Sequence, residues 1–174
     1  FAHGLPVYSV SIGVMKNDEI IMGAVADVSR NTIYSAELGS GAYKDGKKIR
    51  VSDTSELEKS LLVTGFPYNF KENAEYILAV FGGFIRRARG IRRLGSAAID
   101  FCYIAQGAFD GYWEMHLNPW DVCAGKLIVH EAGGLVTDFA GNKTDIYHKE
   151  ILCSNGVLHK EMIHIIATSK PVNA

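Results

Sequence analysis

The sequence predicts a mixed fold, an α+β portion followed by an α/β portion, and three observations predict it. Apolar and polar residues alternate with a period near two from Val7 to about Ser52. Turn-forming residues at Asn17-Asp18-Glu19, Ser29-Arg30-Asn31 and Asp45-Gly46 punctuate that stretch, as antiparallel hairpins require. From Ser60 onwards, short apolar runs alternate with segments of helical periodicity, the pattern of a layered α/β unit.

The first portion reads as a meander. Val7, Ser9, Ser11 and Gly13 alternate with Tyr8, Val10, Ile12 and Val14, which suits a half-buried strand. A second run spans Ile20 to Val28 and a third resumes at Thr32. Asp45-Gly46 is the strongest hairpin signal, because a type I′ turn needs two residues that tolerate positive φ.

The second portion opens with a strand from Ser60 to Phe66. Ile77, Val80, Phe81, Phe84 and Ile85 fall at i, i+3, i+4, i+7 and i+8, one face of a helix. Gly82-Gly83 weakens that helix by propensity, so close packing against a neighbour is expected there. Arg86, Arg87 and Arg89 suit its negative end. Ile91 to Leu94 reads as a strand, and Ser96 as the N-cap of a helix to about Gln106. An aromatic strand runs from Phe109 to Met115. Asn118-Pro119-Trp120-Asp121 then has an N-cap, a proline at the first helical position and an acid at the third. Gly133-Gly134 ends that helix; Leu135 to Phe139 and Ile151 to Ser154 read as strands, and His159 to Thr168 as the last helix. The expected division is residues 1–59, an antiparallel α+β portion, and residues 60–174, an α/β portion.

Composition excludes several classes of function. In 174 residues, 48% hydrophobic and 21% charged content is that of a folded globular chain. Lys+Arg 18 against Asp+Glu 19 argues against a nucleic-acid partner, even with arginines clustered from Arg86 to Arg93. Cys102, Cys123 and Cys153 are odd in number and widely spaced, which points to reduced thiols and a cytoplasmic protein. No apolar run is long enough to span a membrane.

Few residues offer chemistry by local pattern alone. Asp121 at the third helical position can simply cap the helix, or serve as a functional carboxylate; the pattern leaves both open. Glu114 stands at a strand's carboxyl end, where α/β folds place ligands, although an exposed acid there is commonly just solvated. Asp110, before Gly111, reads as a turn residue. His130-Glu131 lacks the second His of a zinc helix and reads as a surface pair. His159 and His164 have no completing ligand, and Gly39-Ser40-Gly41 reads as a bend beside a hairpin. Cys102 and Cys123 fall at apolar helical positions and read as buried thiols. Two carboxylates are too few for Mg²⁺, which wants several oxygens.

Taken together, these segments resemble the inositol monophosphatase family of Mg²⁺-dependent sugar-phosphate phosphatases. Trp120-Asp121-Val122-Cys123-Ala124-Gly125 followed by Glu131-Ala132-Gly133-Gly134 is close to the W-D-x-A-A-G … E-A-G-G signature. Arg92 to Ala98 matches R-x-x-G-S/T-A-A, and Phe109 to Glu114 matches the strand that follows. Phe1 to Pro6 resembles the stretch just after the family's D-P-x-D-G-T motif.

The resemblance implies a layered αβαβα sandwich whose N-terminal part, with most of the metal ligands, lies upstream of Phe1. It implies that Asp121 binds metal, that Glu114 contacts a substrate hydroxyl, and that Gly95, Ser96 and Ala97 line the substrate. Asn118 departs from the His of some members, and Cys123 from a common small residue. The implied reaction is hydrolysis of a phosphate monoester by a water activated on two or three Mg²⁺ ions. The implied protein is a cytoplasmic homodimer acting on a small phosphorylated substrate, without membrane or nucleic acid, and this chain alone is expected to be inactive. The alternatives are a fructose-1,6-bisphosphatase, a nucleotide-phosphate phosphatase, or a non-catalytic partner-binding domain on the same fold.

Overall fold

The computed structural model describes residues 3–169; Phe1-Ala2 of the opening motif lie outside them. Five strands form an antiparallel sheet in the order β1-β2-β3-β4-β5: β1 Ser9–Lys16, β2 Glu19–Asp27, β3 Thr32–Glu37, β4 Gly41–Lys44 and β5 Lys47–Ile49. The turns are those the residues demand. Asn17 and Asp18 sit at φ 51° and 62°, and Asp45 and Gly46 at 48° and 75°, the left-handed pair of a tight hairpin.

Along β1 the alternation has an unusual sense. The face carrying Ser9, Ser11 and Gly13 is turned to a helix, while Val10 and Ile12 are more than half exposed. Small residues are needed because the helix lies so close: a Cβ on Gly23 would come within 2.8 Å of the Ala124 carbonyl oxygen. The opposite face, with Val10, Ile12, Val14, Met22 and Ile33, is covered by no helix among the described residues.

The second sheet has the order β7-β6-β8-β10-β9, from β6 Leu61–Thr64, β7 Gly90–Arg92, β8 Gly111–Met115, β9 Leu135–Thr137 and β10 Glu150–Ser154. β6 runs parallel to both β7 and β8, and β10 runs antiparallel to β8 and β9. Its period-two alternation feeds two cores. Val63, Tyr112, Ile151 and Cys153 point to one side, where α2 Ala97–Ala105 and α3 Pro119–Glu131 fill the space up to the first sheet. Leu62, Trp113 and Leu152 point to the other, against α1 Ala74–Ile85 and α4 His159–Thr168. The described layers are sheet, helix pair, sheet and helix pair, as the α/β sandwich predicts.

Several local expectations change on contact with neighbours. Gly83 does let α1 approach α4, since a Cβ there would meet Ser169 Oγ at 2.7 Å and Ile165 Cγ2 at 2.9 Å. Ile85 leaves the predicted buried face and is 53% exposed, because the packing of α1 ends at Phe84. Asp110 is more than the turn residue it reads as. It is buried, accepts from Ser52 Oγ at 2.5 Å and from the Leu61 N–H at 2.7 Å, and so ties the segment after β5 to β6. Glu131 is not a surface partner of His130 alone, since its side chain is 8% exposed and accepts backbone N–H groups from Gly39 and Gly41. Cys102, Cys123 and Cys153 are buried free thiols. No helix is long and apolar enough to cross a membrane among the described residues.

Candidate active site

The two parallel strands β6 and β8 end side by side, and their carboxyl ends open onto a cleft of about 760 Å³. Val7, Tyr8, Ser9 and Ser11, at the start of β1, form one wall. The N-terminal turns of α2 and α3 and the residues after β6 form the others. Gly95, Ser96, Ala97, Glu114 and Asp121, which come from three separate segments, all line it. This is where open α/β sheets place ligands, at the strands' carboxyl ends.

Each wall residue is placed by a local cause. Gly95 has φ +100°, a conformation that lets the chain turn from β7 into α2 without strain only as glycine. Ser96 occupies the N-cap position with extended backbone, but its hydroxyl makes no capping bond. It lies 3.1 Å from Ser9 Oγ instead, joining the α2 start to β1 across the cleft wall. Asp121 takes the capping geometry expected of it, with Oδ2 accepting the Asn118 N–H at 2.9 Å. It also lines the cleft, so capping and a functional role are compatible.

Glu114 is the most perturbed acid of the cleft. Burial pushes its carboxyl up to about 7, the charge of Asp121 adds to this, and the Tyr112 hydroxyl and Arg93 oppose it. Tyr112 donates to Glu114 Oε2 at 2.6 Å. Asp100, in the first turn of α2, lies nearby in electrostatic reach and is 1% exposed. Its Oδ1 has no hydrogen-bond partner among the described residues. Burial raises the Asp100 carboxyl well above its ordinary value, and the charge of Glu114 raises it further. Motif reading of the sequence singled out neither Asp100 nor Tyr112, because their role depends on which strand end they lie beneath. Phe66, Tyr68, Phe70 and Trp120 add an aromatic rim that periodicity could not assign, and Arg93 stacks 5.2 Å from the Phe66 ring centre.

Fit to a divalent cation can be judged from these donors. Mg²⁺ takes near-octahedral oxygen coordination. Among the described residues no group of three or more His, Cys, Asp or Glu side chains could hold a metal ion. Asp121 can act as one ligand, but the described residues do not make a Mg²⁺ site by themselves.

Comparison with known proteins identifies the family and the fold. Residues 1–170 match the inositol monophosphatase family. The chain is 42% identical over 173 residues to "Phosphatase IMPL1, chloroplastic" of Arabidopsis thaliana, covering 96% of this chain and 47% of that protein. It is 39% identical to "Fructose-1,6-bisphosphatase/inositol-1-monophosphatase" of Thermotoga maritima, covering 95% of this chain and 62% of that one. The solved inositol monophosphatase of Anabaena (Nostoc) sp. PCC 7120 superposes with a TM-score of 0.95 at 39% identity, over 99% of this chain and 68% of that one. The chain therefore spans about half to two thirds of the length of the curated relatives it matches. With this sheet order, these motifs and this coverage, the chain belongs to the inositol monophosphatase family.

Proposed function

We propose that the full-length protein carrying this chain hydrolyses phosphate monoesters of inositol or related sugars, with Mg²⁺ as cofactor. The observation that carries the reading is the convergence of Gly95, Ser96, Ala97, Glu114 and Asp121 on one cleft at the strands' carboxyl ends. In this reading Asp121 donates one carboxylate to the metal, and the remaining ligands come from parts of the protein outside this chain. Glu114 accepts a hydrogen bond from a substrate hydroxyl. The Gly95-Ser96-Ala97 turn lies against the substrate through its backbone and the Ser96 hydroxyl. Sugar phosphates belong to the substrate range, because the Thermotoga maritima relative is named for both a sugar bisphosphatase and an inositol monophosphatase.

The test is phosphate release by the full-length protein from inositol 1-phosphate and fructose 1,6-bisphosphate, with Mg²⁺ and with EDTA. Mg²⁺-dependent release from either supports the proposal, and the preferred ester identifies the substrate. No release from either, by a folded protein, contradicts it. The 174-residue chain alone is expected to release none, since the acids among its described residues do not complete a metal shell.

A further inference from the structure

Gly65 follows β6 directly and faces the end of the neighbouring parallel strand β8. A Cβ built on Gly65 would overlap Oε1, Oε2 and Cδ of Glu114. The carboxylate therefore fills the volume that any larger residue at position 65 would need. Overlap with the far end of a flexible side chain is relieved by moving that side chain, so a substitution here acts on Glu114 before it acts on the fold. A second contact fixes the same group. The Tyr112 hydroxyl donates to Glu114 Oε2 at 2.6 Å, and its ring is fully buried, edge-on to Phe101 with centres 5.2 Å apart. A hydroxyl on so confined a ring cannot follow a carboxylate that swings away. Backbone on one side and a rigid donor on the other leave Glu114 little rotamer freedom.

We propose that Gly65 and Tyr112 are positioning residues which seat the Glu114 carboxylate at the height of a substrate hydroxyl, and thereby make the cleft selective for polyol monophosphates over esters without that hydroxyl. The inference rests on the reading of Glu114 as the hydroxyl acceptor. A site built to pair with a hydroxyl discriminates strongly against an analogue that lacks it, because its own polar group is then left without a partner. That discrimination requires the carboxylate to stay in place, and here it stays because residue 65 has no side chain. A contact remote from the reacting phosphate contributes equally to substrate and transition state, so its loss shows in KM more than in kcat.

The experiment uses the full-length protein and two probes, inositol 1-phosphate and p-nitrophenyl phosphate, which has no polyol hydroxyl. The readout is the ratio of kcat/KM for the first over the second. Gly65→Ala is expected to lower that ratio about tenfold or more, mainly through KM for inositol 1-phosphate, as the loss of a charge-assisted hydrogen bond implies. Tyr112→Phe, which keeps the buried ring, is expected to lower it in the same direction by a smaller factor. Gly65→Ala combined with Glu114→Gln is expected to match Glu114→Gln alone, since both act through one carboxylate. If Glu114→Gln lowers the ratio but Gly65→Ala and Tyr112→Phe leave it as in wild type, the positioning role is overturned and the reading of Glu114 survives. If Glu114→Gln itself leaves the ratio unchanged, the reading of Glu114 fails and the inference falls with it. Should Gly65→Ala not fold, Tyr112→Phe decides on the same ratio.

Discussion

Glu131, the last residue of α3, accepts the backbone N–H of Gly39 at 2.8 Å and that of Gly41 at 2.7 Å, so one carboxylate fastens the β3–β4 turn to the helix whose other end carries Asp121. Burial alone would push this acid up. The two N–H donors outweigh it, with His130 assisting, and hold Glu131 below its ordinary range. A folded-state value below the unfolded one means stability that is present above the unfolded value, near 4.5, and lost as pH falls.

Glu131→Ala should therefore lower stability by about 2 kcal/mol at pH 7, in line with loss of hydrogen bonds to a charged group. Urea denaturation at pH 7 and pH 4 checks it. The difference between variant and wild type should shrink at the lower pH; an equal difference at both would remove the charge from the explanation.

Close approach of α3 to the first sheet sets a second expectation. A Cβ on Gly23 would meet Ala124 backbone, with its O at 2.8 Å and its Cα at 3.0 Å, and backbone cannot rotate away. Gly23→Ala should destabilise by about 1–3 kcal/mol through overpacking. Thermal unfolding measures it, and a midpoint equal to wild type would show that the sheet and helix can separate freely.

Asp100 offers a test of the buried charge beneath the cleft. Its folded-state value is raised, so the sign is opposite to Glu131: stability is fully present below the unfolded value and is lost as pH rises. Asp100→Asn matches the neutral acid in shape and has no charge to bury. The variant should lose less stability than wild type between pH 5 and pH 8, both followed by urea midpoint, and parallel curves would contradict the assignment.

His159 supplies the last pH expectation. Its Nδ1 lies 2.8 Å from Ser154 Oγ and its Nε2 2.9 Å from Thr137 Oγ1, tying α4 to β10 and β9. Burial lowers its value below the ordinary 6.5, which favours the neutral ring in the fold. Stability from this group is present above the unfolded value and is lost as pH falls through it. His159→Gln should flatten the loss of stability between pH 7.5 and pH 5; an unchanged slope would place that loss elsewhere.

Much of this architecture was legible in the residues. Asp45-Gly46 and Asn17-Asp18 marked their turns because only a few residues accept positive φ, and that demand is local. Asn118-Pro119-Trp120-Asp121 marked the start of α3 for a similar reason. Glu114 and Asp121 were legible as a pair only through family motifs, since periodicity cannot say which strand end meets which helix start. Asp110 read as a turn residue and Glu131 as half of a surface pair because their partners lie far along the chain, 92 residues in the case of Gly39. Gly65 read only as part of the Gly65-Phe66-Pro67 end of a strand. A glycine after a short strand reads as a turn until the carboxylate beside it is seen.

The most direct test concerns Asp121, which both caps α3 and faces the cleft. Phosphate release from inositol 1-phosphate should be measured against Mg²⁺ concentration for the full-length wild type and Asp121→Asn. The amide keeps an oxygen for the Asn118 N–H but carries no charge for a cation. The prediction is a folded variant whose rate falls by about a hundredfold or more and needs higher Mg²⁺ for half-activation. A variant with the wild-type rate and Mg²⁺ dependence would remove Asp121 from the metal site and contradict the account.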